Sequence, residues 1–239
     1  MGSEMCIRDS RRTVRSYFGN LGYNAIRPLA RPNWPAFGLG AASAGAATAI
    51  DTDTVDYFDR HPMTAFGRIG ASVGSAGAVG GLAVGLFTAG RIFPGDRWRS
   101  ASYDASQSIL ITTAYTFALK AVTSRERPDG SSRQSFPSGH ASIAFSWATA
   151  FERHYGWKGG VPAYTVASLI AISRLPRRKH YLSDIVAGAT LGHLVGRTVV
   201  RCNSRAAAGI PAKPVVPPTA VVFPTLQPDG AGLQLAVSF

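Results

Sequence analysis

Acidic residues are scarce. The 239-residue chain carries 13 Asp and Glu against 25 Lys and Arg, a formal charge of +12. That imbalance favours anionic partners: nucleic acid, acidic lipid headgroups or phosphate esters. Cysteine is nearly absent as well. Cys6 and Cys202 lie near opposite ends, which excludes a disulfide framework and a cysteine metal site. Long unbroken apolar runs are missing too. Mean hydropathy is only +0.06 although 46% of residues are apolar, because Ala and Gly carry much of that fraction. Phe37–Ile50 is short for a bilayer span. Ile69–Phe93 is long enough but rich in glycine, which makes insertion marginal while permitting close helix packing. No compact apolar stretch follows Arg11, Arg12 and Arg15, so the sequence shows no clean signal peptide.

What is present fits one helical core with tails. Residues 1–35 are expected to be a tag-like start (Met1–Ser10 reads unlike the rest) and a basic linker ending in the Pro/Arg stretch Arg27–Pro35. Residues 36–201 form the core, and 202–239 a Pro/Ala linker with a β-prone tail whose final alternation, Leu233 to Phe239, suits an edge strand. Asp51–Arg60 reads as a solvated turn and helix start. Helices are expected over Ala101–Val122, from a Ser138 cap to Tyr155, from Pro162 at a first turn to Ser173, and over Tyr181–Val200. Arg125–Ser135 is a charged loop. His61 and His154 lack partners at ligand spacing, and His193 reads as packed or hydrogen-bonded on the last helix. Trp147 and Trp157 read as core or interface residues.

Three separated pieces carry chemistry. Lys120 lies seven residues before Arg127-Pro128, so a helix end and a loop direct two cations toward one point. Phe136-Pro137-Ser138-Gly139-His140 places a Ser-Gly turn at a helix start, where free N–H groups face an anion, with an imidazole beside it to act as an acid. Ser173-Arg174 leads through a basic loop to His180 and Asp184. Four residues apart on a helix, that pair shares a face, and the carboxylate fixes the imidazole tautomer and leaves the other nitrogen as a nucleophile. Each piece also has a bland reading: a cation on a helix dipole, an N-cap, a surface i,i+4 pair. Together they are the inventory for gripping a tetrahedral oxyanion and attacking it. Arg177, Arg178 and Lys179 read as a solvated rim.

In order and spacing the pieces resemble the type 2 phosphatidic acid phosphatase and vanadium haloperoxidase superfamily, with its K-x6-R-P, P-S-G-H and S-R-x5-H-x3-D motifs. The resemblance covers roughly residues 51–200. It implies an all-α fold, a six-helix bundle with the site at one end. It implies that Lys120, Arg127 and Arg174 bind phosphate oxygens together with Ser138 and Gly139, that His180 attacks phosphorus, that Asp184 orients it, and that His140 protonates the leaving group. It further implies a phosphoric ester hydrolase acting on phosphate monoesters or diphosphates, chiefly of lipids, without metal or cofactor. A bacterial-type envelope location follows, membrane-associated with the site facing the periplasm or exterior. A soluble acid phosphatase of the same fold is the main alternative. A vanadium-dependent haloperoxidase and a non-enzymatic basic membrane or nucleic-acid-binding protein are weaker ones, since the first suits much longer chains and the second gives no reason for His140, His180 and Asp184.

Overall fold

The computed structural model describes residues 12–69, 76–210, 219–227 and 230–238; Met1–Ser10, part of the Ile69–Phe93 run and Phe239 lie outside them. Among these residues the α-helices are α1 (Val14–Ile26), α2 (Trp34–Thr48), α3 (Asp51–Arg60), α4 (Thr64–Ile69), α5 (Ala76–Ile92), α6 (Asp96–Thr123), α7 (Gly139–Tyr155), α8 (Trp157–Ile172) and α9 (Leu182–Ala207). Six of them, α2 and α5 to α9, make the bundle. The C-terminal stretch forms an antiparallel hairpin of β1 (Thr219–Gln227) and β2 (Gly230–Ser238), with Thr219 opposite Ser238 and Gln227 opposite Gly230. Among the described residues no helix is long and apolar enough to cross a membrane.

The bundle is organised by two matching rows of small residues. Ser138, Ser142 and Ser146 recur every fourth position along α7 and its cap, and Gly188, Gly192 and Gly196 do so along α9. Residues at that spacing lie on one helix face, and such rows form the ridges by which helices interlock. Here the glycines bring backbone onto backbone. A Cβ at Gly192 would sit 2.1 Å from the Ser142 carbonyl oxygen, and one at Gly188 or Gly196 would sit 2.5 Å from the Ser138 or Ser146 carbonyl. The buried hydroxyls satisfy themselves on their own helix: Ser142 Oγ donates to the Ser138 carbonyl and Ser146 Oγ to that of Ile143, both at 2.8 Å. We predict that Gly192→Ala forces the helices apart and lowers the melting temperature by about 4–10 °C, corresponding to about 2–3 kcal/mol of overpacking. An unchanged melting curve by circular dichroism would contradict this contact.

Around that axis the apolar core is built from α5, α6, α7 and α9. Val79, Ala83, Ile109 and Ile143 form one buried cluster, and Ile111, Leu191, Val195 and Val199 another. Trp147 packs against the first, whereas Trp157 is exposed.

Several local expectations need correction. Among the described residues 12–35 the chain is more than a basic linker: α1 docks on α6, where Tyr17 donates to Ser106 at 2.9 Å and Asn24 Nδ2 to Gln107 at 3.0 Å. The Pro/Arg stretch Arg27–Pro35 holds two 3-10 turns and the start of α2. Prolines at the first positions of short helical turns fit because the missing N–H has no partner there anyway. Pro162 lies inside α8 rather than at its first turn, because Gly156 at φ 64° ends α7 and lets α8 begin at Trp157. α9 runs to Ala207, beyond the expected end near Val200. His154 has a strong partner after all: its Nε2 lies 2.8 Å from Asp104, which also accepts from Asn203 at 2.8 Å and from Arg12 at 3.1 Å. That carboxylate is fully buried, a position tolerable only because it is paired and hydrogen-bonded.

Candidate active site

Three elements converge at one end of the bundle: the last turn of α6, the first turn of α7, and the loop that precedes α9. Between them lies a cavity of about 140 Å³ lined by Lys120, Arg127, Gly139, His140, Arg174 and His180, with Thr116 and Gln134. Six of the eight residues singled out in the sequence therefore share one wall-to-wall space. The other two, Ser138 and Asp184, stand directly behind it.

Lys120 projects from the C-terminal turn of α6, and its ammonium donates to the carbonyls of Gln134 and Ser135. An ammonium has three N–H donors, so one is left for a ligand. Burial and the nearby Arg127 charge push its pKa from 10.5 down to about 8, against the pull of Asp184. Arg174 is lowered to about 10 by burial, Arg177 and Arg127, and stays cationic at neutral pH. Arg127 is placed by a folded-back loop, in which its backbone N–H donates to the Ser132 carbonyl at 3.0 Å and Ser135 N–H to the Arg125 carbonyl at 2.9 Å. Three cations facing one small cavity repel each other, and an oxyanion relieves that repulsion.

Ser138 caps α7 as expected, its side chain accepting from the Ala141 N–H. Its own N–H donates to the Asp184 carbonyl at 2.9 Å. That bond fastens the start of α7 to the first turn of α9, so the Gly139–His140 turn is held against the His180 loop.

The His180–Asp184 pair differs from the helical i,i+4 arrangement expected. His180 precedes α9, and only Asp184 lies within it. His180 Nδ1 is 2.7 Å from the Ser135 carbonyl oxygen but 3.7 Å from Asp184 Oδ2. A carbonyl only accepts, so Nδ1 carries the proton and Nε2 keeps a lone pair. Burial lowers the His180 pKa below the ordinary imidazole value, with Lys120 and Arg174 adding to burial and Asp184 opposing it. The ring is accordingly neutral at neutral pH.

Asp184 is a hub. Its carboxylate accepts from the Tyr181 N–H at 2.9 Å, from the Ser135 hydroxyl, and from Arg125 Nη1 at 2.8 Å. Burial alone would raise its pKa, but His180, the hydroxyl, the amide and the Arg125 charge hold it below the usual carboxylate value. Ser135 thus links both partners, its carbonyl on His180 and its hydroxyl on Asp184.

The chain of contacts extends to residues the sequence reading passed over. Arg125 also donates from Nη2 to Asp51 at 2.9 Å and from Nη1 to Ser183 Oγ at 2.7 Å. Asp51 accepts in addition from Ser183 N–H at 2.9 Å and Ser183 Oγ at 2.6 Å. Asp51 is only 5% exposed, so the solvated start expected for α3 is wrong at its first residue. The basic rim is likewise partly engaged: Arg178 lies 3.5 Å from Asp59, and Lys179 pairs with Asp129. Among the described residues no group of three or more His, Cys, Asp or Glu stands where it could hold a metal ion.

Residues 101–207 match the sequence profile of the PAP2 superfamily. A 75-residue stretch is 47% identical to the lipid A 1-phosphatase of Porphyromonas gingivalis, covering 30% of this chain and 17% of that protein. Another of 93 residues is 30% identical to the lipid A 4′-phosphatase of Helicobacter pylori, covering 34% of this chain and 47% of that one. The chain thus spans less than half the length of these curated relatives. Its fold is similar to the crystal structure of a transmembrane PAP2-type phosphatidylglycerolphosphate phosphatase from Bacillus subtilis. That match has a TM-score of 0.53 over 73% of this chain and 94% of the other, at 20% identity. Through its helical segment 101–207, the chain is similar to the PAP2 superfamily.

Proposed function

We propose that this protein hydrolyses phosphate monoesters or diphosphates of lipids, by transferring the phosphoryl group first to His180 and then to water. The observation that carries the reading is the His180 ring in the cationic cavity, its Nδ1 occupied by the Ser135 carbonyl. Lys120, Arg127 and Arg174 bind the non-bridging oxygens with Gly139 and Ser138 at the start of α7. Nε2 of His180 attacks phosphorus, forming the N–P bond as the P–O bond to the leaving group breaks. His140 gives its proton to the leaving oxygen, then takes one from the water that attacks the phosphohistidine. Inorganic phosphate leaves and His180 returns to its neutral form. Asp184, held ionised, stabilises the positive charge that develops on His180 during attack. The fixed cations and helix N–H groups stabilise the charge on phosphorus without reorganising.

A lipid substrate is supported by the lipid A phosphatases among its relatives. It is also supported by two apolar clefts of about 590 and 440 Å³ on either side of α2, lined by Leu39, Phe145 and Ile172 on one side and Phe37, Phe136 and Leu191 on the other. Residence at the membrane of a bacterial-type envelope, with the site facing outward, goes with that substrate.

The test is phosphate release in detergent from phosphatidate, lipid A, undecaprenyl diphosphate and p-nitrophenyl phosphate. Release favouring the lipids is expected; release from p-nitrophenyl phosphate alone would contradict the lipid reading, and none from any of the four would contradict the activity. The pH profile adds a second check. Lys120 loses its charge as pH rises through about 8, so kcat/KM is expected to fall above that value. Lys120→Arg keeps the charge to much higher pH and should move the alkaline limb upward; a limb that stays in place would remove Lys120 from phosphate binding.

A further inference from the structure

A second cationic cavity lies far from the first. It has a volume of about 350 Å³ and is lined by Tyr23, Arg27, Arg201, Cys202 and Arg205, among others. Arg201 and Arg205 stand on the last turns of α9, and Arg27 caps the end of α1. From Asp184 to Arg201 the helix climbs about 26 Å at its usual rise, so this cavity is well separated from the His180 cavity along the bundle. We propose that it binds a phosphate-bearing anion.

Each arginine alone has an ordinary explanation, because cations complement the negative ends of helices. The sum does not. Two helix ends supply about half a negative charge each, against three full guanidinium charges. Among the described residues, no carboxylate lies in salt-bridge range of any of the three. Arg27 lies over the Tyr23 ring, its Cζ 4.2 Å from the ring centre, and its buried Nε has no hydrogen-bond partner. All three line the same cavity beside Cys202, and their charges oppose the upward push of burial on its thiol. Three guanidinium groups lining one cavity supply planar donors of the kind that suit phosphate oxygens. Asn20, which also borders the cavity, adds a neutral amide and no competing charge. The ligand is therefore a phosphate group, either free or carried on an acidic lipid headgroup.

Cys202 makes the cavity testable independently of the active site. In full-length Cys6→Ser protein, it is the remaining cysteine, and its alkylation by uncharged iodoacetamide reports on the cavity alone. Inorganic phosphate or pyrophosphate, against sodium chloride of equal ionic strength, tests the free anion. Phosphatidylcholine vesicles with and without phosphatidylglycerol test the headgroup. At ten times the dissociation constant, an occupied cavity should slow alkylation about tenfold. That slowing is expected to vanish in Arg27→Gln/Arg201→Gln/Arg205→Gln protein, whose phosphate release should match the parent. Protection by the soluble anions identifies a free phosphate site, and protection only by phosphatidylglycerol vesicles identifies a headgroup site. Alkylation unaffected by all of these, or slowed equally in the triple variant, overturns the proposal. Should the triple variant fail to fold, Arg205→Gln alone, at an exposed position, must weaken the protection; an unchanged value overturns it too.

Discussion

Replacing His180 by alanine is expected to lower kcat for phosphate release by at least about a thousandfold, since a covalent route loses its nucleophile outright. The Michaelis constant should change little. In the proposed mechanism Lys120, Arg127 and Arg174 hold the phosphate from other walls of the cavity. The split between the two constants is what distinguishes lost chemistry from a damaged site. A variant that retained activity within about tenfold of the parent would show that His180 is at most a binding group, because a lone hydrogen bond is worth only about that much.

The second large effect is expected at Arg125, a residue that touches neither the cavity nor the phosphate. Its guanidinium stands between the Asp184 and Asp51 carboxylates, at 2.8 and 2.9 Å. Arg125→Ala leaves two buried carboxylates close together without their cation. Breaking a buried pair from one side costs about 3–5 kcal/mol. Arg125 is partly exposed, so about 3 kcal/mol is appropriate, a fall of about 6–12 °C in melting temperature. The pH dependence fixes the cause. Asp184 has a depressed folded-state pKa, so its contribution to stability is present above the unfolded value of about 3.9 and is lost as pH falls through that range. Without Arg125 the depression shrinks, so the variant's stability deficit should be largest at neutral pH and diminish as Asp184 becomes protonated at low pH. A merely local packing defect would lower stability equally at all pH values. Activity should fall with it, because Asp184 no longer has a fixed partner on the side away from His180; Arg125→Lys should restore part of the charge effect but not the two-sided geometry.

The contrast between these two residues shows what could be read from the sequence. His180, Lys120, Arg127 and Arg174 were legible because chemically demanding types recur at fixed spacing, and a helix end or a Ser-Gly cap tells where each one points. The small-residue rows along α7 and α9 were half legible: Ala187, Gly188, Ala189 and Gly192 announce close packing, but not that the partner row would be Ser138, Ser142 and Ser146. Ser135 could not be found that way. Its role rests on a backbone carbonyl against His180 and a hydroxyl against Asp184, and one serine in a Ser-rich loop carries no sequence signal. Asp51 was misread because an aspartate at a helix start is ordinarily a solvated cap. Its true partners, Arg125 and Ser183, lie 74 and 132 residues away. Arg125, two residues before Arg127, was the one available hint, since two arginines in a short loop rarely serve the same purpose. His154 was passed over for the same reason as Asp51, its partner Asp104 being 50 residues distant.

The central claim is a phosphoryl group carried on His180, and it is tested most directly by trapping it. Protein mixed with ³²P-labelled substrate is quenched in alkali within the first turnover and separated under alkaline conditions. The account predicts label on the protein that survives alkali, is released by mild acid, maps to the peptide containing His180, and is absent from His180→Ala. Label that persists in His180→Ala, or a parent enzyme that releases phosphate in a burst-free single step with no labelled protein at any quench time, would contradict it.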